Sequence, residues 1–276
     1  ILRPWLHCCK SDWQIIQITL SWRPFGRLMD ILGIDVGGSG IKGAIVDTKK
    51  GILISDRFRI PTPEGRKPKD IAAVIKEIQG HFQWKDNIGV AFPTVVVNNK
   101  AKFHSNLDES WMGVQIDDLF NDYCDDNTFN IINDADAAGM AEMKFGAGRH
   151  HLGTVIMITI GTGLGSGMFY DGVLVPNFEL GRLFYKNGKV IEHFAADSAR
   201  KREELSFEVW GKRLNKFLKH VERITTPDFI ILGGGVSKHI HKYRAQIKIK
   251  TPYVVGEKQN NSGIIGAAAY AAEHHR

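Results

Sequence analysis

Apolar residues along the chain recur at two spacings, which predict strands that alternate with helices. Short apolar runs rich in β-branched residues predict strands at residues 31–36, 41–46, 88–92, 129–132, 155–158 and 228–231. Polar residues that lead into helical patterns predict helices beginning near Asp70 and Asn133 and helices capped by Ser206 and Ser262. Alternation of strands with helices is typical of an α/β fold.

Three of the predicted strands end in glycine-rich turns, at residues 37–40, 161–165 and 233–235. The first turn offers backbone N–H groups and the Ser39 hydroxyl, and Asp35 and Lys42 flank it. These groups suit a phosphate chain, with Asp35 placed to hold Mg²⁺. The alternative is an ordinary glycine-rich hairpin in which Asp35 caps the turn. Because the pattern of strand and glycine turn occurs three times, phosphate binding is the favoured interpretation.

Asn133 and Asp134 lie where a predicted strand ends and a predicted helix begins. In α/β folds, ligands bind in the crevice at the carboxyl ends of the strands. A carboxylate in that crevice can act as a general base for an attacking hydroxyl. Helix capping alone is the alternative, because Asn and Asp are both favoured at that position. The three glycine turns favour Asp134 as the base.

The charge of the chain is unevenly distributed. The 276 residues carry a net charge of +6, yet residues 212–250 alone contain ten Lys and Arg against two acidic residues. Such a segment indicates a polyanion partner or, alternatively, a solvated basic face. The three cysteines, Cys8, Cys9 and Cys124, have no metal-binding spacing. They also form no plausible disulfide framework, which predicts that the protein is located in a reducing cytoplasm.

The length and the patterning predict two lobes. The first is expected over residues 29–132 and the second over residues 133–261, with a helix at 262–274 packing back on the first lobe. Residues 1–28 hold three of the six tryptophans and have no amphipathic period, which predicts a non-native leader before Met29. No apolar run reaches the length of a membrane span.

Several stretches of the chain are similar to known proteins. The glycine turns resemble those of the sugar-kinase, Hsp70 and actin superfamily. Four stretches resemble the ROK family of sugar kinases and repressors: DVGGSGIK at 35–42, NDADAA at 133–138, IGTGLGSG at 160–167 and ELG at 179–181. Four more resemble its polyphosphate-using glucokinases: VAFPTVV at 90–96, SNLDESW at 105–111, ADSAR at 196–200 and LGGGVSK at 232–238. The resemblance implies a two-lobed, actin-like ATPase (ribonuclease H-like) sugar-kinase fold.

The resemblance also implies roles for individual residues. The implied sugar pocket consists of Asn106, Asn133, Asp134, Glu179 and Glu192. Asp134 would take the proton from the primary hydroxyl of the sugar, and Asp35 would hold Mg²⁺. The implied phosphate- or nucleotide-binding residues are Asp35, Gly37, Gly38, Ser39, Gly40, Lys42, Thr162, Gly163, Gly165, Gly233, Gly234 and Gly235. For Glu192 the alternative is an ordinary surface glutamate, because its alignment crosses a variable loop.

Two departures from the ROK pattern stand out. The family usually has His after Glu-x-Gly, where this chain has Arg182. Arginine only donates hydrogen bonds, whereas histidine can also accept one, so we expect the sugar affinity or anomer preference to differ. The family's cysteine-rich zinc motif is absent, as it is in the polyphosphate-using subgroup. No zinc is therefore expected.

The predicted function is a cytoplasmic glucokinase of glycolysis that transfers a phosphoryl group from polyphosphate, ATP or both to the 6-hydroxyl of glucose, with Mg²⁺. We also expect a homodimer, and no nucleic-acid or membrane partner. The alternatives are an ATP-dependent ROK kinase for another hexose or hexosamine, a sugar-sensing ROK repressor and an Hsp70-like ATPase. Residues 1–28 do not resemble the helix-turn-helix domain of the repressors, which disfavours that alternative.

Overall fold

The structure is a computed structural model that describes residues 30–103, 106–124 and 127–274. The predicted leader, residues 1–28, lies outside the described residues. The strands are β1 (Asp30–Val36), β2 (Ile41–Asp47), β3 (Ile52–Leu53), β4 (Phe58–Ile60), β5 (Asn87–Phe92), β6 (Val96–Val97), β7 (Lys100–Ala101), β8 (Thr128–Asn133), β9 (Thr154–Ile160), β10 (Leu164–Tyr170), β11 (Val173–Val175), β12 (Phe229–Gly233) and β13 (Tyr253–Val255). The α-helices are α1 (Pro68–His81), α2 (Ile116–Asn121), α3 (Asp134–Phe145), α4 (Glu192–Ala195), α5 (Asp197–Arg202), α6 (Phe207–Thr225) and α7 (Ser262–Glu273).

The two larger sheets repeat one arrangement. In the first, the order is β3-β2-β1-β5-β8, and β4 also pairs with β2. In the second, the order is β11-β10-β9-β12-β13. Each sheet begins with an antiparallel hairpin, β1–β2 or β9–β10, and continues through two parallel strands. The first two glycine turns are the hairpin turns, and the third follows the first parallel strand of the second sheet.

Helices cover both faces of these sheets. Helices α1 and α2 pack on the outer face of the first sheet, and α6 packs on the outer face of the second. Helices α3 and α7 lie between the sheets, where Ala137 and Ala267 share a core with Met157 and Ile231. Strands covered on both faces need apolar residues at nearly every position, which explains the unbroken apolar runs. The lobe limits at 132 and 261 stay predictions.

Close packing of α7 depends on glycines. A Cβ atom on Gly266 would lie 1.7 Å from the carbonyl oxygen of Ala137 in α3. A Cβ atom on Gly89 of β5 would lie 2.0 Å from the carbonyl oxygen of Ala267. These glycines let the backbone of α7 lie directly against α3 and the first sheet.

The helix starts test the capping predictions. Ser206 caps α6 as predicted, because its Oγ accepts a hydrogen bond from the backbone N–H of Val209 at 3.2 Å. The prediction that Ser262 caps α7 is wrong: Ser262 is the first helical residue and Asn261 precedes it. The Ser262 hydroxyl instead donates to the carbonyl oxygen of Gln259. A short 3₁₀ turn at Gln259–Asn261 leads directly into α7.

Candidate active site

A polar cavity of about 170 Å³ lies between the two sheets. Its lining includes Asp35, Lys42, Asp134, Gly234 and Gly235. Asp35 is at the end of β1, Asp134 starts α3 directly after β8, and the two glycines follow β12. The cavity therefore joins predicted residues from three distant parts of the chain.

Asp35 and Lys42 form an ion pair in this cavity. They are direct partners in the β1–β2 ladder. Lys42 Nζ lies 2.9 Å from Asp35 Oδ2, and it also donates to the carbonyl oxygen of Asn260 at 3.3 Å. A Cβ atom on Gly263 would lie 2.7 Å from the Asp35 carboxylate, so the start of α7 packs against that carboxylate. The pair leaves Lys42 fixed at the rim, where it can meet an anion.

Two side chains fix the first glycine turn by donating hydrogen bonds to its backbone carbonyls. Arg59 Nη2 donates to the carbonyl oxygen of Ser39 at 2.5 Å, and Thr62 Oγ1 donates to that of Gly37 at 2.6 Å. Gly38 and Ser39 are exposed, whereas Gly40 is buried against the Arg59 guanidinium. Sequence reasoning missed Arg59, which brings a second cation to this turn.

Asp134 has an unusual ionisation environment. The pKa of its carboxyl is raised to about 7, mainly by burial and in addition by the nearby carboxylates of Asp35 and Glu179. Backbone N–H groups at the start of α3 act in the opposite direction. A carboxylate with a pKa near neutrality can take up a proton at physiological pH, which suits a general base.

Asn133 is both a helix cap and a support for Glu179. Its Oδ1 accepts from the backbone N–H groups of Ala135 and Asp136, at 2.9 and 3.1 Å. Its Nδ2 donates to the carbonyl oxygen of Thr94 at 3.0 Å and lies 3.4 Å from Glu179 Oε1. Capping and site placement are therefore not alternatives for this residue, because one amide does both.

Glu179, Arg182 and Glu192 form a charged wall beside Asp134. Burial raises the pKa of Glu179 above its usual range, Arg182 opposes this shift and Glu192 adds to it. Glu192 Oε2 accepts from the backbone N–H of Leu164 at 3.3 Å, so this glutamate faces the second glycine turn. The Arg182 guanidinium lies 4.1 Å from the centroid of the Phe103 ring.

The second and third glycine turns meet each other. Gly234 has a φ of +81°, and a Cβ atom there would lie 2.4 Å from the carbonyl oxygen of Ile160. Thr162 is exposed, and its carbonyl oxygen accepts from Ser198 Oγ at 2.5 Å. Glycine is required at position 234, because only a residue without a side chain can combine this positive φ with so close an approach to Ile160.

Gly163 and Gly165 lie beside other predicted site residues, whereas no contact joins Asn106 to them among the described residues. A Cβ atom on Gly163 would lie 2.6 Å from Glu192 Oε2, and one on Gly165 would lie 2.8 Å from the Cβ of Ala135. Gly233 ends β12 and is buried. Asn106 is exposed, and its carbonyl oxygen accepts from Arg66 Nη1 at 2.6 Å. Gly165 thus lets the second sheet approach the start of α3, where Asp134 lies.

A family comparison identifies this arrangement. The ROK family matches residues 31–176, which is more than half of the chain. The chain belongs to the ROK family. This ROK protein is 40% identical over 236 residues to the polyphosphate glucokinase of Mycobacterium tuberculosis strain H37Rv, covering 86% of this chain and 89% of that relative. It is 39% identical over 236 residues to the polyphosphate glucokinase of Mycobacterium leprae, covering 86% and 72%.

Solved structures agree with this assignment. The inorganic polyphosphate/ATP-glucomannokinase of Arthrobacter sp. strain KM superposes on the ROK protein with a TM-score of 0.86 and 39% identity, covering 89% of this chain and 99% of that one. A ROK family glucokinase from Streptomyces griseus superposes with a TM-score of 0.76 at 20% identity, covering 89% and 100%. The predicted actin-like sugar-kinase fold is therefore confirmed.

Among the described residues of the chain, no helix is both long and apolar enough to cross a membrane.

Asn177 is the main residue of the ROK protein that sequence reasoning missed. Its side-chain amide forms two hydrogen bonds with Val96 of β6, Oδ1 accepting from the N–H at 3.0 Å and Nδ2 donating to the carbonyl at 2.8 Å. Its backbone N–H donates to Asp136 Oδ2 at 2.9 Å. Its φ of +63° gives a weak sequence signal, because Asn tolerates this conformation. Asn177 thereby fixes the loop that carries Glu179 to both β6 and α3.

The donor set of the cavity fits a divalent cation that arrives with phosphate. The described residues contain no group of three or more His, Cys, Asp or Glu arranged to hold a metal ion. Mg²⁺, however, usually keeps several waters and binds through one or two carboxylates plus substrate phosphates. Asp35 and Asp134 lie close enough for repulsion between them to raise the pKa of Asp134. A divalent cation beside Asp35 would offset that repulsion.

Proposed function

We propose that this ROK protein is a glucokinase that transfers a phosphoryl group from inorganic polyphosphate, ATP or both to the 6-hydroxyl of glucose. The carrying observation is that Asp134, a carboxylate with a pKa near neutrality, shares one cavity with the Asp35–Lys42 pair and the third glycine turn. The similarity to polyphosphate glucokinases over 86% of the chain supports the substrates. The cytoplasmic location, the homodimer and the place in glycolysis remain predictions.

Asp134 acts as the general base in the proposed reaction. The proton of the 6-hydroxyl passes to the Asp134 carboxylate while the hydroxyl oxygen bonds to the terminal phosphorus of the donor. The bond between that phosphorus and its bridging oxygen breaks, and the shortened polyphosphate or ADP leaves with the electron pair. Little covalent chemistry falls to the protein in such a transfer, so positioning and charge stabilisation supply most of the rate.

The donor is bound by the glycine turns and by fixed cations. Lys42 lies at the cavity rim, and Arg59 supports the turn at residues 37–40. Thr162 and the glycines at 163 and 233–235 complete the proposed donor site. Asp35 would hold Mg²⁺, which neutralises charge on the donor phosphates when bound.

The sugar is held by the charged wall next to Asp134. Glu179, Arg182, Glu192 and Asn106 are the proposed ligands of the sugar hydroxyls. Each sugar hydroxyl both donates and accepts, which suits a mixture of carboxylate, guanidinium and amide groups. Asn133 contributes by orienting Glu179, since its oxygen is committed to capping α3.

Steady-state kinetics with glucose and each donor test this function. We expect formation of glucose 6-phosphate with polyphosphate, and the same assay with ATP measures the preference between donors. Mannose and N-acetylmannosamine serve as competing acceptors. Turnover of another hexose or a hexosamine with ATP alone, and none of glucose, would establish the alternative ROK kinase instead.

Replacing Asn177 should weaken sugar binding more than it slows chemistry. Glycine tolerates the positive φ of Asn177, so Asn177→Gly removes the two hydrogen bonds to Val96 without straining the backbone. We expect the glucose KM to rise about three- to tenfold, the cost of one or two hydrogen bonds, with a smaller change in kcat.

The matched control for this change is Asn187→Gly. Asn187 also has a positive φ, of 59°, but lies exposed in a separate 3₁₀ turn, Lys186–Gly188, farther along the same connection. Its substitution should leave the glucose KM unchanged. Equal effects of the two substitutions, or an unchanged KM for Asn177→Gly, would show that the Asn177–Val96 contact does not position the sugar site.

A further inference from the structure

A cluster of positive side chains surrounds Phe207 at the start of α6. The Arg200 guanidinium lies 4.3 Å and Lys242 Nζ lies 5.2 Å from the centroid of the Phe207 ring. The His239 ring centroid is 5.6 Å from the same ring. We call Arg200, Phe207, His239 and Lys242, together with the adjacent Lys238, the Phe207 cluster.

The Phe207 cluster is attached to both glycine turns of the second sheet. The 3₁₀ turn at Ser237–Lys242 begins two residues after Gly235, and Ser237 N–H donates to the carbonyl oxygen of Gly234 at 3.1 Å. Arg200 belongs to α5, whose Ser198 donates to the carbonyl of Thr162. The cluster therefore lies just outside the place where the second and third glycine turns meet.

Two cations of this cluster have no ion-pair partner among the described residues. Asp197 pairs with Arg200 and Lys201, at 2.6 and 2.9 Å. Lys238 and Lys242 are exposed and form no ion pair within the part of the chain that the structure describes. Burial lowers the pKa of His239, and the positive charges of Lys242, Lys238, His241 and Arg200 lower it further. A positive field of this kind attracts an anion.

The structure divides the basic segment at residues 212–250 into separate surfaces. Lys212 pairs with Glu208 at 2.9 Å on the outer face of α6. The Arg244 guanidinium lies 5.9 Å from the centroid of the Tyr253 ring, and no contact with Phe207 is recorded for it among the described residues. Lys216, Lys219 and Arg223 border a different groove, beside Tyr185. Among these basic residues, Lys238 and Lys242 are the ones that continue from the third glycine turn.

We propose that the Phe207 cluster binds the part of a polyphosphate chain that extends beyond the phosphate being transferred. The inference rests on the proposed function, because it presupposes a donor in the cavity. A long polyphosphate carries negative charge along its whole length, so segments outside the cavity gain from a cationic surface. ATP and tripolyphosphate each have only three phosphates, so their phosphate chains should not reach this surface and their binding should not depend on it.

The test compares three donors on one pair of variants. The double variant Lys238→Ala/Lys242→Ala removes two exposed cations, and Arg244→Ala removes a nearby cation outside the cluster. Kinetics are measured with long-chain polyphosphate, tripolyphosphate and ATP at several salt concentrations, with melting temperatures as a check on folding. For the double variant we expect the long-chain KM to rise several-fold. The slope of log KM against log salt concentration should fall by about 1.5, because two phosphate contacts are lost.

The short donors and the control variant should be nearly unaffected if the Phe207 cluster binds only the distal part of a long chain. KM values for tripolyphosphate and ATP should stay within about twofold in the double variant, as should all values for Arg244→Ala. An unchanged long-chain KM, or an equal rise with all three donors, would overturn the distal site while leaving the glucokinase function intact. A wild-type protein that uses ATP but no polyphosphate would overturn both the polyphosphate donor and this site.

Discussion

Asp134→Asn should nearly abolish turnover and at the same time stabilise the folded protein. Asparagine keeps the shape of the side chain and cannot accept the hydroxyl proton. Loss of a general base typically costs about 10²–10⁴-fold in rate. Sugar binding should largely persist, because Glu179, Arg182 and Glu192 are unchanged. A purified variant that keeps more than about a tenth of the wild-type kcat would exclude Asp134 as the base.

The stabilisation follows from the ionisation of Asp134. Its pKa rises from 3.8 to about 7 in the folded protein, mainly through burial. Between these values the folded state binds more protons than the unfolded state, so wild-type stability falls as pH rises from about 4 to 7. Asparagine has no charge to bury. The gain should be small at pH 4, grow through this window and level off above pH 7, at no more than about 4 kcal/mol.

Asp136→Asn is the matched control for this prediction. Burial raises the pKa of Asp136 to about 7 as well, yet Asp136 does not belong to the lining of the cavity. Its asparagine variant can still accept the backbone hydrogen bond from Asn177. Melting temperatures across pH should therefore shift similarly in both variants, while kcat separates them. Loss of turnover in both would instead indicate a general disturbance of α3.

The features predicted correctly from sequence are those encoded locally. Of the three glycine turns, the third lines the cavity through Gly234 and Gly235. Ser206 caps α6 because its hydroxyl reaches an N–H only three residues away. The Asn133–Asp134 pair has the same local character. The Ser262 cap fails since the preceding turn, not the helix itself, decides where α7 begins.

Contacts between distant residues were beyond sequence reasoning. Arg59 reaches Ser39 across 20 residues, and Asn177 reaches Val96 across 81. Neither contact leaves a spacing or a period in the chain. The uneven charge was visible, but only the fold separates Lys238 and Lys242 from Arg244. Residue types therefore indicated the chemistry, whereas the supports that orient it required coordinates.

Gly266→Ala should be among the most damaging small substitutions in the protein. The added Cβ would lie 1.7 Å from a backbone oxygen of α3, and a backbone cannot rotate away as a side chain can. Overpacking typically destabilises a protein by about 1–3 kcal/mol. Because this clash is with backbone, we expect the free energy of unfolding to fall by about 3 kcal/mol or more. For a chain of this size, that corresponds to a melting temperature roughly 10 °C lower.

The same substitution should also weaken donor binding. Helix α3 begins with Asp134, and α7 begins with Ser262 and Gly263 beside Asp35, so the Gly266–Ala137 contact joins the two helices that lie next to these carboxylates. A shift between the helices should therefore raise the donor KM in the fraction that folds.

Gly80→Ala provides the matched control, because Gly80 also lies in a helix, α1, with nothing within 4 Å of its added Cβ. Alanine is the better helix former, so Gly80→Ala should stabilise by about 0.5–1 kcal/mol. If Gly266→Ala destabilises the protein while Gly80→Ala stabilises it, the loss of stability can be assigned to the α3–α7 contact. A Gly266→Ala protein that melts like wild type would show that these helices do not lie in direct backbone contact.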